Sequence, residues 1–311
     1  MCQQRGLDVN WTEPRNGATA AVLAAEKGYA RCISVLAQHG ADLSKADKNG
    51  STAAYWAAQE GNDQCISVLA QYGADLSKAN NRGTTAAYIA AERGYTRCLS
   101  ALAQNGADLS ITNTLGSTPA YAAAMKGHAP CLSILTQHGA DLSKAGKDGF
   151  APIHIACLLG GYTSVEFLLD NRVDANLRAV NEFGDTPATI ASMNGHVKLL
   201  ALVLDRGANP NLARRDGITA AHKACQHGHL KCLQLLRERN ANLSSKNSRG
   251  HTPLDVARGC KQPECVDLLL ATGATGMRKK DLPQVSDSHK VRVTAASFSV
   301  SVTTLLTPIC L

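Results

Sequence analysis

The stretch Gly50-Ser-Thr-Ala-Ala-Tyr-Trp-Ala-Ala-Gln-Glu-Gly61, followed by Cys-Ile-Ser-Val-Leu-Ala-Gln-Tyr-Gly-Ala-Asp over residues 65–75, holds two short helices and the signals that stop them. Thr52 stands where a helix needs an N-cap, its hydroxyl placed to accept from an orphan N–H of the first turn. Gly61 and Gly73 can adopt the left-handed conformation that closes a helix, so each reads as a stop. In the second helix Ile66, Leu69 and Tyr72, with Val68 alongside, form an apolar stripe that one unit cannot bury by itself.

The same pattern returns along the chain. Marker glycines fall at Gly17, Gly50, Gly83, Gly116, Gly149, Gly184, Gly217 and Gly250, in steps of 33, 33, 33, 33, 35, 33 and 33 residues. A period of this size predicts a solenoid of stacked supersecondary units, in which each unit covers its neighbour's stripe. It overrides the two-domain expectation that 311 residues would otherwise raise.

This repeat resembles the ankyrin repeat, whose pattern runs G-x-TPLH-x-AA-x-x-GH and then through a second helix ending in LL-x-x-GAD. The resemblance covers 16–274 and implies an all-α solenoid of about eight helix-turn-helix units with β-turn fingers. Residues 1–15 are expected to be a partial repeat or irregular segment, and 275–311 a disordered tail. Gly6-Leu-Asp-Val-Asn10 looks like the end of a preceding unit, so the first unit is expected to expose apolar surface. Pro119, Pro152, Pro187 and Pro253 match the family's first helical position, which favours proline, while Ala20, Ala53, Ala86 and Ala220 replace it. Arg172 and Asn240 occupy the second stop-glycine position. Arginine resists the left-handed conformation, so an irregular end is expected for unit five. Two extra residues fall within Leu177-Arg-Ala-Val-Asn-Glu-Phe-Gly184, lengthening one finger.

The formal charge of +7 is uneven, because the tail from Thr275 carries Arg278, Lys279, Lys280, Lys290 and Arg292 against Asp281 and Asp287. Elsewhere acids and bases interleave, which argues against nucleic acid as a partner. Of eleven cysteines, Cys32, Cys65, Cys98, Cys131, Cys232 and Cys265 share one repeat position, with Ser164 and Leu199 in the other two units. A slot that accepts all three residue types is used for packing. Stacked helices lie about 8–10 Å apart, too far for a disulfide needing Cα atoms within about 7 Å. Reduced thiols fit a cytoplasmic location, with the nucleus as the alternative. Residues 1–15 have no apolar run of the kind a signal peptide carries.

The resemblance implies that a protein partner docks on the concave face, through the finger turns and the exposed side of the first helices. The variable positions lie just before and after each marker glycine, and nine to ten residues beyond it. On the turns they give Arg82, Leu115, Phe150, Phe183, Asp185 and Ile218. On the helices they give Arg93, Met125, Leu158 with Leu159, Met193 and His227. Trp56 is expected to be half exposed. Leu115, Phe150, Phe183 and Ile218, with the helix residues Met125, Leu158 and Met193, are expected to form an exposed apolar centre, and such clusters usually mark contact. Tyr55, Tyr88 and Tyr121 replace the family histidine retained at His154 and His222; a structural role is favoured over a binding strip.

His222, Cys225, His227, His229 and Cys232 tempt a zinc reading, but the repeat accounts for every one except His227, so no metal or other cofactor is expected. No phosphate-cradling loop, HExxH or nucleophile elbow occurs, so neither a catalytic role nor a small-molecule substrate is expected. The leading function is a non-catalytic interaction scaffold or adaptor. One alternative is an adaptor tethered to a membrane by the apolar stretch 293–311, against which its seven Ser/Thr residues argue. The other is the recognition portion of a larger kinase, ubiquitin-ligase or channel protein.

Overall fold

A computed structural model describes residues 8–274. The sequence expectations for the tail and for residues 1–7 fall outside that range. Sixteen helices among the described residues form eight antiparallel pairs. The first helices are α1 (Ala20–Glu26), α3 (Ala53–Glu60), α5 (Ala86–Arg93), α7 (Pro119–Lys126), α9 (Pro152–Leu159), α11 (Pro187–Met193), α13 (Ala220–His227) and α15 (Pro253–Gly259). The second helices are α2 (Ala30–Gln38), α4 (Asp63–Gln71), α6 (Thr96–Gln104), α8 (Ala129–Gln137), α10 (Tyr162–Asp170), α12 (Val197–Asp205), α14 (Leu230–Glu238) and α16 (Pro263–Ala271). Between adjacent units first helices stack largely on first helices and second on second, as a one-dimensional repeat requires. Buried alanines let the first helices approach more closely than the Leu/Ile/Cys-faced second helices.

Each first helix starts from its cap. Thr52 Oγ1 accepts from the Tyr55 N–H at 3.3 Å, and Thr19, Thr85, Thr118 and Thr252 repeat the bond. Ala151 has no hydroxyl to offer; there the His154 imidazole Nδ1 accepts from the Ala151 N–H at 3.1 Å. In the second helices Ile66 and Leu69 are fully buried, each such burial stabilising the stack by about 1.5–3 kcal/mol. Tyr72 departs from the expected stripe: it is exposed, and its hydroxyl accepts from Gln38 Nε2 of the preceding unit at 3.2 Å.

Between units, fingers line up through one backbone bond per junction. The Asn81 N–H donates to Asn49 O, Thr114 to Arg82 O and Lys147 to Leu115 O, each at 2.9 Å. Gly149 shows why glycine stands at the marker position. Its φ is +78°, and an added Cβ would lie 2.4 Å from the Asn181 backbone nitrogen. The longer step falls where the spacing places it. The Ala179 N–H closes the finger on Asp185 O, two residues further than Asn80 reaches to Thr84, and Val180 is 73 % exposed on the enlarged loop.

Asn10 performs the role of Ser44 one unit earlier. Its side-chain oxygen accepts from the Asp42 N–H and its carbonyl from Lys45 Nζ, as Ser44 serves Asp75 and Lys78. Leu23, Tyr29 and Val35 of the first unit are exposed, as expected. Unit five, by contrast, is not irregular. Arg172 adopts φ +65°, and the Val173 N–H returns to Leu168 O just as the Ala107 N–H does to Leu102 O. Tertiary packing imposes the left-handed turn and the arginine carries the strain. Lys261, at φ +56°, does the same at the end of α15, where the other units have glycine or asparagine-flanked glycine.

Candidate interaction surface

In four of the fingers the turn is built by a short polar side chain three residues before the marker glycine. Asn113 Oδ1 accepts from the N–H groups of Leu115 (2.9 Å) and Ser117 (3.0 Å), and Asp47, Asn80 and Asn247 make the same pair. This turn aims the residue before the glycine outward and turns the residue after it inward. Asn49, Arg82, Leu115, Asp148, Phe183 and Arg249 are exposed at the tips, whereas Ser51, Ser117, Phe150 and Asp185 are buried.

Three expected contact residues are therefore corrected. Phe150, 6 % exposed, enters the core and packs its ring 5.9 Å from His154. Met125, 8 % exposed, is held within the Ala-rich first-helix layer. Asp185, 3 % exposed, is bound in an ion pair with Arg214. Sequence alone treated the position after the glycine as free; in the fold it turns inward, and in the Phe150 finger the Asp148 carboxylate accepts the Phe150 N–H at 3.0 Å.

The other expected residues reach the surface. Arg82, Arg93, Leu115, Phe183 and His227 are exposed, and Trp56, Leu158, Met193 and Ile218 are half-buried. Trp56 is oriented by its indole N–H, which donates to Asp47 Oδ2 at 3.0 Å. Leu158 leans on the core while its neighbour Leu159 is exposed. Leu115, Leu159 and Phe183 thus remain as exposed apolar groups of units four to six, with Val180 added by the longer finger.

Beneath these residues the tyrosines and histidines are structural. Tyr55, Tyr88 and Tyr121 are buried, and the Tyr121 hydroxyl donates to Asp148 Oδ2 of the next finger at 2.6 Å. Burial, with the Asp148 charge, pushes the Tyr121 phenol well up. His154 Nε2 pairs with Leu177 O at 2.8 Å and His222 Nε2 with His251 O at 3.0 Å, tying adjacent units. Burial holds both imidazoles below the usual histidine pKa. The nine described cysteines are free. Burial pushes Cys65, Cys131 and Cys232 up to about 11 and Cys98 to about 12, which makes them packing groups rather than nucleophiles. Among the described residues no group of His, Cys, Asp and Glu is placed to hold a metal ion.

Two buried cations escaped the sequence reading. Arg214 takes the slot that Asp47, Asn80 and Asn113 fill in other fingers. Its guanidinium meets Asp185 at 3.1 Å and Asp216 at 3.3 Å, and lies 4.5 Å from the centre of the Phe183 ring. Lys223, on α13, stands six residues after its marker glycine, in a row otherwise made of Leu23, Trp56, Ile89, Ala122, Ile155, Ile190 and Val256. The signal was available in both cases as a cation in a slot where no other unit places one. Beside them a groove of about 740 Å³ runs between the last three fingers, lined in part by Phe183, Ile218, Gln226, Arg249 and Val256.

A stack of helix pairs with projecting turns and an accessible first-helix side defines the chain as an α-helical repeat protein. The family model described as ankyrin repeats (three copies) matches residues 2–80, 23–113, 87–179, 144–214 and 188–280, and the chain belongs to the ankyrin repeat family. Ankyrin repeats are generally protein–protein interaction modules and typically non-catalytic. No curated protein matches the chain.

Proposed function

We propose that the chain is an interaction scaffold that holds a protein partner across the finger tips and the exposed ends of the first helices, centred on units four to six. The observation that carries this reading is the set of large apolar side chains, Leu115, Leu159 and Phe183, exposed on finger tips and first-helix ends of units four to six. Arg82 and Arg93 on one side and His227 on the other supply charge and polarity at the rim, where such groups govern selectivity and encounter more than affinity. Binding is by preformed contact: the fingers are fixed by backbone bonds and Asx turns, so little ordering is lost on association.

The free, buried cysteines fit a reducing compartment, and we place the protein in the cytoplasm on that ground. Among the described residues no helix is long and apolar enough to cross a membrane. The test is affinity capture from source-cell lysate with the full chain and with a variant carrying Leu115→Ala, Leu159→Ala and Phe183→Ala. A partner retained by the first and lost by the second, with equal helicity by circular dichroism, supports the reading. A partner held equally by both removes it.

A further inference from the structure

The run Cys-Ile-Ser-Val-Leu-Ala-Gln occurs twice, at 32–38 on α2 and at 65–71 on α4. The two copies meet different surroundings. On α4, where a unit precedes, Cys65 and Leu69 are fully buried and Val68 is half-buried. On α2, Cys32 is exposed, Val35 is 52 % exposed and Leu36 is half-buried. Tyr29 beside them is exposed as well. It stands in the row of Asn62, His196 and His229, whose side chains each bond a carbonyl at the end of the preceding first helix. Among the described residues, unit one thus leaves uncovered the face on which each later unit receives a helix pair.

The other end of the stack offers the matching half. Ile33 on α2 and Leu233 on α14 are fully buried beneath the unit that follows, whereas Val266, in their place on α16, is half-buried. Leu270, one turn further, is 50 % exposed where the first three units have Ala37, Ala70 and Ala103. A solenoid stays soluble and separate when its end units carry a polar outer face. Here both end faces are apolar.

Two features give the ends a direction. Each finger is tied to the one before it by a backbone bond, as from the Lys48 N–H to Asn16 O and from the Ser248 N–H to Asp216 O, both 2.9 Å. At the two ends of this series, the Arg15 N–H and the Arg249 carbonyl make no such bond among the described residues. A donor at one end thus matches an acceptor at the other. Charge follows the same pattern: α2 carries Arg31 and no acid, while α16 carries Glu264 and Asp267 and no base, all three exposed. The Arg15 and Arg249 side chains add like charge, but both are exposed, where salt screens them.

We propose that a second copy of this chain covers the open face, the α15/α16 end of one molecule stacking on the α1/α2 end of the next as successive units stack within the chain. Val266 and Leu270 of one copy lie over Cys32, Val35 and Leu36 of the other, and the Arg249 carbonyl accepts from the Arg15 N–H. Asn10 already holds the Asp42 N–H as Ser44 holds that of Asp75, so a helix pair is all that is needed to complete the junction. The contact is head-to-tail, because α2 against α2 would set Arg31 against Arg31 and donor against donor. A head-to-tail contact does not close on itself unless the rotation does, so the assembly grows with concentration. The finger tips of units four to six lie away from these ends and are repeated along the assembly, which makes the scaffold multivalent.

Sedimentation velocity on the full chain up to about 200 μM reads the assembly. The wild type is expected to grow beyond a dimer as concentration rises. Val35→Glu sets an acid against acidic α16, and Leu270→Lys sets a base against Arg31. Each alone is expected to weaken self-association at least about tenfold. Mixed in equal amounts, the two variants form a one-to-one complex and stop there, because each keeps one intact end. Both residues are exposed, so the fold is retained, which thermal unfolding checks; Tyr29→Glu takes the place of Val35→Glu if that variant does not fold. A wild-type chain that stays monomeric overturns the proposal, as does a mixture that forms no complex. Undiminished association in either variant alone overturns it too, and in Leu270→Lys alone it would mark a head-to-head contact instead.

Discussion

Arg214 reaches back one unit to Asp185, 3.1 Å between charged atoms, and both side chains are almost wholly out of water. The pair joins fingers six and seven, the first of which is the lengthened one. Removing one partner of a buried pair leaves an uncompensated charge. Asp185→Ala is expected to cost about 3 kcal/mol, the lower part of the usual range because Asp216 remains beside Arg214. Asp216→Ala, whose carboxylate is more exposed, should cost less. Urea unfolding of the two variants measures the difference, and an equal cost would contradict the assignment of Asp185 as the principal partner.

Arg172 and Lys261 occupy left-handed positions that other units give to glycine. A side chain there costs roughly 1–2 kcal/mol, partly offset by the extra freedom glycine has when unfolded. Arg172→Gly and Lys261→Gly should each raise stability by about 0.5–1 kcal/mol, seen as a higher melting temperature. A lower melting temperature for both would show that the side chains make contacts worth more than the strain.

His154 and His222 impose an acid sensitivity. In each, Nδ1 accepts a backbone N–H and Nε2 faces a carbonyl, so the folded state requires the neutral ring. Asp148 and Asp185 near the first, and Asp216 and Asp255 near the second, favour the charged form but are outweighed by burial. The folded pKa is therefore below the unfolded value of about 6.5. The contribution of these residues is present above that pH and lost as pH falls below it. Melting temperature should drop from pH 7.5 to pH 5.0, and less steeply in a variant carrying His154→Tyr and His222→Tyr, which copies the residue used at Tyr55, Tyr88 and Tyr121.

Phe150 and Phe183 sit on successive fingers, one in the core and one at a tip. Phe150→Ala should cost about 3 kcal/mol as a large-to-small core change. Phe183→Ala should cost no more than about 1 kcal/mol, the worth of its contact with the Arg214 guanidinium. Paired denaturant titrations decide this, and equal losses would place Phe183 in the core.

The fold was legible because the glycine period, the threonine caps and the apolar stripes all reported the same unit. Glycine spacing alone located the longer finger between Leu177 and Gly184. Side-chain direction within the fingers was less legible. Whether Phe150 or Leu115 faces water depends on how each finger turns its backbone, with Asn113 accepting the Leu115 N–H in one and Asp148 the Phe150 N–H in the other, a three-dimensional outcome that spacing from the marker glycine does not reveal. The buried cations were overlooked for a different reason. Arg214 and Lys223 read as ordinary surface residues until the repeat rows are aligned and the structure shows each enclosed by its neighbours. Arg172 marks the limit in the other direction: local preference pointed to an irregular end, and the packing of the neighbouring units overrode it.

The most direct measurement is the dissociation constant of the captured partner for three full-length proteins. These are the wild type, the Leu115→Ala/Leu159→Ala/Phe183→Ala variant, and a control carrying Tyr162→Ala and Leu270→Ala on exposed second-helix residues. The surface described here predicts a loss of about a hundredfold for the first variant and none for the control. A loss confined to the control would contradict it and move the partner to the second-helix side.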